Sequence, residues 1–358
     1  MHLFLNVIEI DGSYGEGGGQ ILRTSVSFAA LFKKDIRLVN IRAKRDKPGI
    51  RPQHRMAIQA VASISRATVR GNEVGSSEIT FAPGSPLGGN YDFDIGTAGS
   101  VTLVLQSILP VSLIATAPTH IRLIGGTDVP GSPTSDYFEN VLLKAVRWLG
   151  GKVSYDLRRR GYYPRGGGVV DVHVEPSPIL RKIGSLEKGC GQIGTPIVRG
   201  KSHCSRLPSH VSGRQALSAK TFLQKQGVGS VDIVESYDNS SLDPGSSLTL
   251  WLEGDAIFVG SDSLGARGKR AEEVGREAAD GLVSEIRSDA PLDSHMGDMI
   301  LPYLSLCPET SQLKISRITM HLATEVHVAK QFGELEAELE GDVGNPGLLR
   351  IRRTADSG

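Results

Sequence analysis

Between Gly12 and Ser25 the chain reads GSYGEGGGQILRTS, a glycine run that opens into a predicted helix. Bare backbone N–H groups at a helix N-terminus, aided by the helix dipole, favour an anion such as phosphate. Gly17 and Gly18 are therefore candidate anion-cradling positions. Arg23 adds a fixed positive charge about one turn later, and Glu16 supplies the carboxylate that a phosphate-bound divalent cation requires. Far along the chain, His321 in TMHLATEVH falls at the junction of a predicted strand (313–319) and helix (322–332). A helix N-terminus disfavours imidazolium, so the expectation is a neutral, nucleophilic ring. The spacing of HLATEVH does not match a helical zinc-protease motif, which needs two histidines four residues apart around a glutamate.

Two further segments concentrate charge. Arg42, Lys44, Arg45, Lys47, Arg51, Gln53, His54 and Arg55 lie in a stretch broken by Pro48 and Gly49, which hold it away from regular helix. Charge runs usually mark solvated surface, and the functional reading is arginine forks that grip phosphate bidentately. The second segment, RRRGYYPRGGG from Arg158 to Gly168, interleaves arginines with two tyrosines. That composition suits a nucleic-acid strand, whose phosphates meet Arg while bases stack on aromatic faces; the plain alternative is a hairpin turned by its Pro and Gly.

These candidates must be held by a scaffold. At 358 residues and 39% hydrophobic content, the chain can bury one large core or two smaller ones. A net charge of +1 means that a polyanion must be held by a local basic patch, not by the overall field. Cys190, Cys204 and Cys307 are odd in number and widely spaced, which argues against a disulfide framework or a zinc site and for a reducing compartment. The apolar run at the start is too short and strand-like for a signal peptide, and no stretch is long enough to span a membrane. The expectation is a cytoplasmic protein with no membrane association.

Periodicity alternates between strand and helix and predicts a mixed α/β architecture. Strands are expected at 3–11, 35–42, 67–70 and 78–81, with helices at 19–31 and 51–65 between them. A similar order recurs from 91 to 175, with helices near 100–113 and 135–149. From about Lys182 the composition turns rich in Gly, Ser and Lys and carries its own pattern. Strands near Gln192, Val231, Ser247 and Ala256 accompany helices at 212–226 and 268–286, as in an inserted small domain. The chain then returns to the first pattern with a helix at 293–306. It ends in a polar tail, 341–358, with weak ordering signals.

Seven strings in order, GSYGEGGGQILRTS, IRAKRDKPGIRPQH, GTAGSVTLVLQSILP, GGTDVPGSPTSDYF, RRGYYPRGGGVV, SHMGDMILPYLSL and MHLATEVHVAKQF, resemble the RNA 3′-terminal phosphate cyclases over nearly the whole chain to about Phe332. The resemblance implies a large discontinuous domain (1–183 and 289–340) of three repeated β-α-β-α-β-β units, with a smaller thioredoxin-like α/β domain (184–288) inserted. It implies ATP as co-substrate, Mg²⁺ or Mn²⁺ near Glu16, and RNA with a 3′-phosphate end as partner. By the same resemblance His321 is the nucleophile adenylated on Nε2. Gln106, His295, Met296, Gly297, Asp298, Met299, Gly17 and Gly18 handle ATP, while Arg23, Arg42, Arg45, Gln53 and His54 handle phosphate and RNA. Cyclase-like scaffolds of ribosome assembly lack the histidine, so His321 and Glu16 speak against that alternative.

Two positions depart from the family pattern. Met299 stands where a glutamine usually follows the aspartate, and Glu325 where asparagine is common. A carboxylate one helical turn from His321 is expected either to raise the ring's pKa or to repel an incoming α-phosphate.

Overall fold

The computed structural model describes residues 7–189, 191 and 196–354. The first four strands and two helices alternate as β1 (Ile8–Asp11), α1 (Gly19–Phe32), β2 (Ile36–Val39), α2 (Pro52–Ser65), β3 (Thr68–Arg70) and β4 (Ile79–Ala82). They form a sheet of order β1-β2-β4-β3. The pair β1–β2 is parallel and needs α1 as its crossover, whereas β2–β4 and β3–β4 are antiparallel.

The same arrangement follows with β5 (Gly89–Asp94), α3 (Val101–Leu113), β6 (Thr119–Gly125), a helical run, β7 (Lys152–Arg159) and β8 (Gly168–Glu175), in sheet order β5-β6-β8-β7. The helical run joins α4 (Ser135–Tyr137) and α5 (Leu143–Trp148) through a π-helical turn at Phe138–Leu142. Along β6 the alternation is legible in the residues: Ile121 and Leu123 point into the core, His120 and Arg122 away from it.

Next come β9 (Gly184–Leu186), β10 (Ile197–Ser205), α6 (His210–Lys225), β11 (Ser230–Asp238), β12 (Gly245–Glu253), β13 (Gly260–Leu264) and α7 (Ala271–Arg287). Four of these strands form a separate sheet, β11-β10-β12-β13. The chain closes with α8 (Ser294–Leu304), β14 (Ser311–Ile315), α9 (Met320–Gln331), β15 (Leu335–Glu340) and β16 (Gly347–Arg353). Their sheet runs β9-β14-β16-β15, again with one parallel pair followed by antiparallel ones.

Helix α1 packs against α2, α3 and α9, and one continuous apolar cluster runs beneath the three like sheets. A second cluster, including Val198, Leu248, Leu250, Ala278 and Leu282, fills the space between the separate sheet and its helices α6 and α7.

Three expectations need correction. The polar tail from 341 contains β16, which pairs with both β14 and β15 because Leu349 and Ile351 alternate into the core. The boundary at 184 is misplaced, since Gly184–Leu186 pairs in parallel with β14. Ala256 is not in a strand; β13 begins at Gly260. The strand expected near Gln192 and the first residues of the 3–11 strand lie outside the described residues. Among those described, no helix is long and apolar enough to cross a membrane, and Cys204 and Cys307 are free and buried.

Candidate active site

The glycine run folds as successive turns. Tyr14 N–H donates to Asp11 O (3.2 Å) and Gly17 N–H to Tyr14 O (3.0 Å), with Gly15 and Gly17 at positive φ, where side chains are disfavoured. Gly18 is the extended N-cap of α1, so the first N–H groups of the helix open toward the loop. Beneath them lies His54, packed so tightly on Gly19 that no Cβ would fit. Its Nδ1 accepts from Arg51 N–H (3.2 Å), which caps α2 and leaves the ring proton on Nε2. Burial, reinforced by Arg23, Arg42 and Arg51, lowers the His54 pKa to about 3, so this ring is neutral.

Glu16 projects from the loop between Arg45 and His321. Its Oε2 lies 3.3 Å from Arg45 Nη2 and 3.2 Å from His321 Nε2. Arg42 closes its own loop by donating from Nη1 to Lys47 O (2.6 Å) and Gly49 O (3.0 Å), and Gln53 Oε1 accepts from Ser100 N–H (3.3 Å). Burial and then the like charges of Arg51 and Arg45 lower the Arg42 pKa, the signature of cations gathered without enough anions.

His321 sits in the first turn of α9. Thr319 is the N-cap: its hydroxyl accepts from Leu322 N–H (2.9 Å) and also donates to Asp298 on α8. Asp298 Oδ2 stands 3.8 Å from His321 Nδ1. Hydrogen bonding to Asp298 and its charge, followed by the charge of Glu16, raise the His321 pKa against the effect of burial. The two flanking carboxylates thus act on the ring in the direction opposite to the one expected of the helix N-terminus. Glu325 adds least to this rise. Its own carboxyl is buried, and burial followed by the charge of Asp298 pushes its pKa to about 8, so it is mostly protonated at pH 7 and does not repel an anion.

A cavity of about 360 Å³ opens beside His321. Gln20, Arg23, Leu103, Gln106, Tyr137, His295, Asp298 and Met299 line it, together with Gly131, Ser132 and Pro133 from the loop before α4 and Asp262 from β13. Arg23 makes no ion pair among the described residues, and burial lowers its pKa to about 10. Gln106 Nε2 contacts the Met299 sulfur at 3.0 Å, so the substituted position still faces the cavity.

Met296 and Gly297 do not reach the cavity. Met296 belongs to the apolar core, and a Cβ on Gly297 would stand 2.9 Å from Ile315 Cγ2, so that side of α8 faces inward. Sequence reasoning missed Gln20, Tyr137, Pro133 and Asp262. The first three sit inside strings already singled out, whereas Asp262 comes from the separate sheet with no local motif. Asp293 ties these parts together: it caps α8 through Met296 N–H (2.8 Å) and accepts from Tyr137 Oη (2.7 Å) and Gly260 N–H (2.7 Å).

The 158–168 hairpin turns out to be largely structural. Arg160 is buried between Asp128 (3.0 Å) and Asp136 (2.5 Å), and Arg158 pairs with Asp156 and Asp171. Arg159 donates to Gly167 O, and Arg165 holds Asp243 beyond β11. Tyr162 is buried against Gly245, which leaves Tyr163, 71% exposed, as the only tyrosine of the segment open for stacking.

Among the described residues no group of three or more His, Cys, Asp or Glu is arranged to hold a metal ion. Glu16 offers a hard carboxylate beside His321. It fits a cation whose remaining ligands are phosphate oxygens and water, the usual habit of Mg²⁺.

A profile of the RNA 3′-terminal phosphate cyclase family matches residues 14–339. The chain is 47% identical over 351 residues to an RNA 3′-terminal phosphate cyclase of Ignicoccus hospitalis, covering 97% of this chain and 98% of the relative. It is 44% identical over 354 residues to that of Pyrococcus furiosus, covering 98% and 100%. A third relative so named, from Methanopyrus kandleri, is 44% identical over 358 residues and covers 97% and 99%. The chain belongs to the RNA 3′-terminal phosphate cyclase family, a family of enzymes.

Proposed function

We propose that the protein uses ATP to convert the 3′-terminal phosphate of RNA into a 2′,3′-cyclic phosphodiester, through a covalent His321–AMP intermediate. The observation that carries this reading is His321 Nε2 facing Glu16 beside a cavity lined by Arg23, which has no ion pair among the described residues. With the ring proton directed to Asp298 at Nδ1, the Nε2 lone pair attacks the α-phosphorus of ATP and the bond to pyrophosphate breaks. Arg23 and the glycine-loop amides offset the charge that builds on the phosphates. A divalent cation, Mg²⁺ or Mn²⁺, would be held by Glu16 and would supply further charge neutralisation.

An oxygen of the RNA 3′-phosphate then attacks the histidine-bound phosphorus, the P–N bond breaks, and the anhydride RNA-ppA forms. The neighbouring 2′-OH attacks the RNA phosphorus, loses its proton and expels AMP. The need for that hydroxyl selects RNA over DNA. The pocket sets polar groups of Gln20, Gln106, Asp262 and His295 among Leu103, Pro133, Tyr137 and Met299, a composition suited to a nucleoside. Arg42, Arg45 and Gln53 border the approach for the RNA end. The proposed setting is the cytoplasm, where ATP and reduced thiols are both supplied.

The test is covalent labelling. Protein mixed with α-labelled ATP and a divalent cation should take up acid-labile, alkali-stable label, and His321→Ala should take up none. Label retained by the variant would remove His321 from this role.

A further inference from the structure

Residues 14–16 of the glycine loop run along α9, one loop residue to each turn of helix. Glu16 meets His321 in the first turn, 3.2 Å from Nε2. Gly15 comes next, at φ +58°, and sits so close to Thr324 that a Cβ would stand 2.5 Å from its Oγ1. Tyr14 then meets His327, with ring centroids 3.6 Å apart and planes 8° from parallel. His321, Thr324 and His327 follow one another at intervals of three residues, so they climb one flank of the helix.

The backbone bonds of the loop join it to β1 and to itself, through Tyr14 N–H to Asp11 O and Gly17 N–H to Tyr14 O, and so leave its placement against α9 undetermined. Arg45 pulls on the Glu16 carboxylate from the opposite side, at 3.3 Å. What counters that pull at the far end of the loop is the ring stack. His327 is suited to it: burial and then Lys330 lower its pKa, which favours the neutral ring, and Gln331 Nε2 contacts its Nε2 at 2.8 Å and steadies the ring plane.

We propose that Tyr14 and His327 are positioning residues, whose stack seats the glycine loop on α9 and so keeps the Glu16 carboxylate at the His321 imidazole. The inference rests on His321 being the nucleophile. Gly15 is the required spacer, since any side chain there would lift the loop from Thr324.

The experiment compares wild-type protein, His327→Ala and His327→Phe by two readouts: backbone amide hydrogen exchange at residues 15–18, and the rate of label uptake from α-labelled ATP. In His327→Ala exchange should rise and uptake slow, each by about threefold to tenfold, the range that one aromatic pair commands. His327→Phe keeps a flat ring and should restore both. Wild-type exchange and uptake in the alanine variant, or a loss that phenylalanine does not recover, would overturn the proposal. Absence of label in wild-type protein would instead sink the adenylation reading and the catalytic half of this one, with exchange still deciding whether the stack seats the loop.

Discussion

Arg160 in the 158–168 hairpin and Arg23 in the cavity wall are both desolvated, and the fold gives them opposite surroundings. Arg160 lies between Asp128 and Asp136; burial alone would lower its pKa, but the two carboxylates raise it above the ordinary arginine value. Burial would likewise raise Asp136, yet Arg160 and Lys201 hold it below its usual range. Arg23 has no ion pair among the described residues, and the carboxyl that acts on it, Glu325, is pushed up to about 8 and is mostly neutral at pH 7. An arginine held between two carboxylates has its charge already answered, whereas one beside a carboxyl pushed toward its neutral form keeps it for an incoming anion.

Replacing each arginine by methionine is the strongest way to break this comparison. Arg160→Met strands two buried carboxylates and is expected to cost about 3–5 kcal/mol, read as a lower midpoint in denaturant unfolding. Arg23→Met should leave that midpoint unchanged or higher, while label uptake from ATP falls by a factor on the order of 10²–10³. If Arg160→Met unfolds at the wild-type midpoint while Arg23→Met destabilises, the assignment of roles is reversed.

The next effect concerns how the charged side of the site controls His321. Asp298 raises that ring's pKa, so the wild-type rate of label uptake should decline as pH falls through a value above the ordinary 6.5, where imidazolium takes over. Asp298→Asn removes the charge, lowers the pKa and should move this acid limb to lower pH, along with a lower plateau rate. An unmoved limb would take Asp298 out of control of the ring.

A further effect, read in the pH dependence of stability, sharpens the contrast at Glu325. Its folded pKa of about 8 exceeds the ordinary 4.5, so the unfolded chain ionises first and stability declines as pH rises between these values. Glu325→Gln should lose that slope: thermal midpoints would match wild type near pH 4.5 and exceed it near pH 8. Identical pH dependence in both proteins would mean that folded Glu325 is ionised and paired with Arg23.

Much of the local structure was legible in the residues. The glycine run before α1 and the periodicity of α2 and α3 placed those helices to within a residue or two. The polar tail misled because β16 shows only short alternation, and its order comes from pairing with β14 and β15. At the site, Glu16, Arg23 and His321 were singled out from their local residues and Gln106 from the resemblance, and all but Glu16 line the cavity; Met296 and Gly297 were grouped by the resemblance with ATP-handling neighbours, although successive helical residues face different directions. Arg158–Arg165 suggested a nucleic-acid surface because a sequence displays charges without their partners, and Asp128, Asp136, Asp171 and Asp243 come from elsewhere in the chain.

By itself, then, the order of residues determined which groups the molecule has available and which short segments hold them: the glycine turn, the capped helices, the histidine at the head of α9. Tertiary structure alone decided their state. It brought Asp298 and Glu16 to either side of His321, two carboxylates to Arg160 and, among the described residues, no ion pair to Arg23, and it carried Asp262 from a separate sheet into the cavity wall. The physical reason is that ionisation depends on burial and on charges a few ångströms away, and those distances are set by packing between segments far apart in the chain.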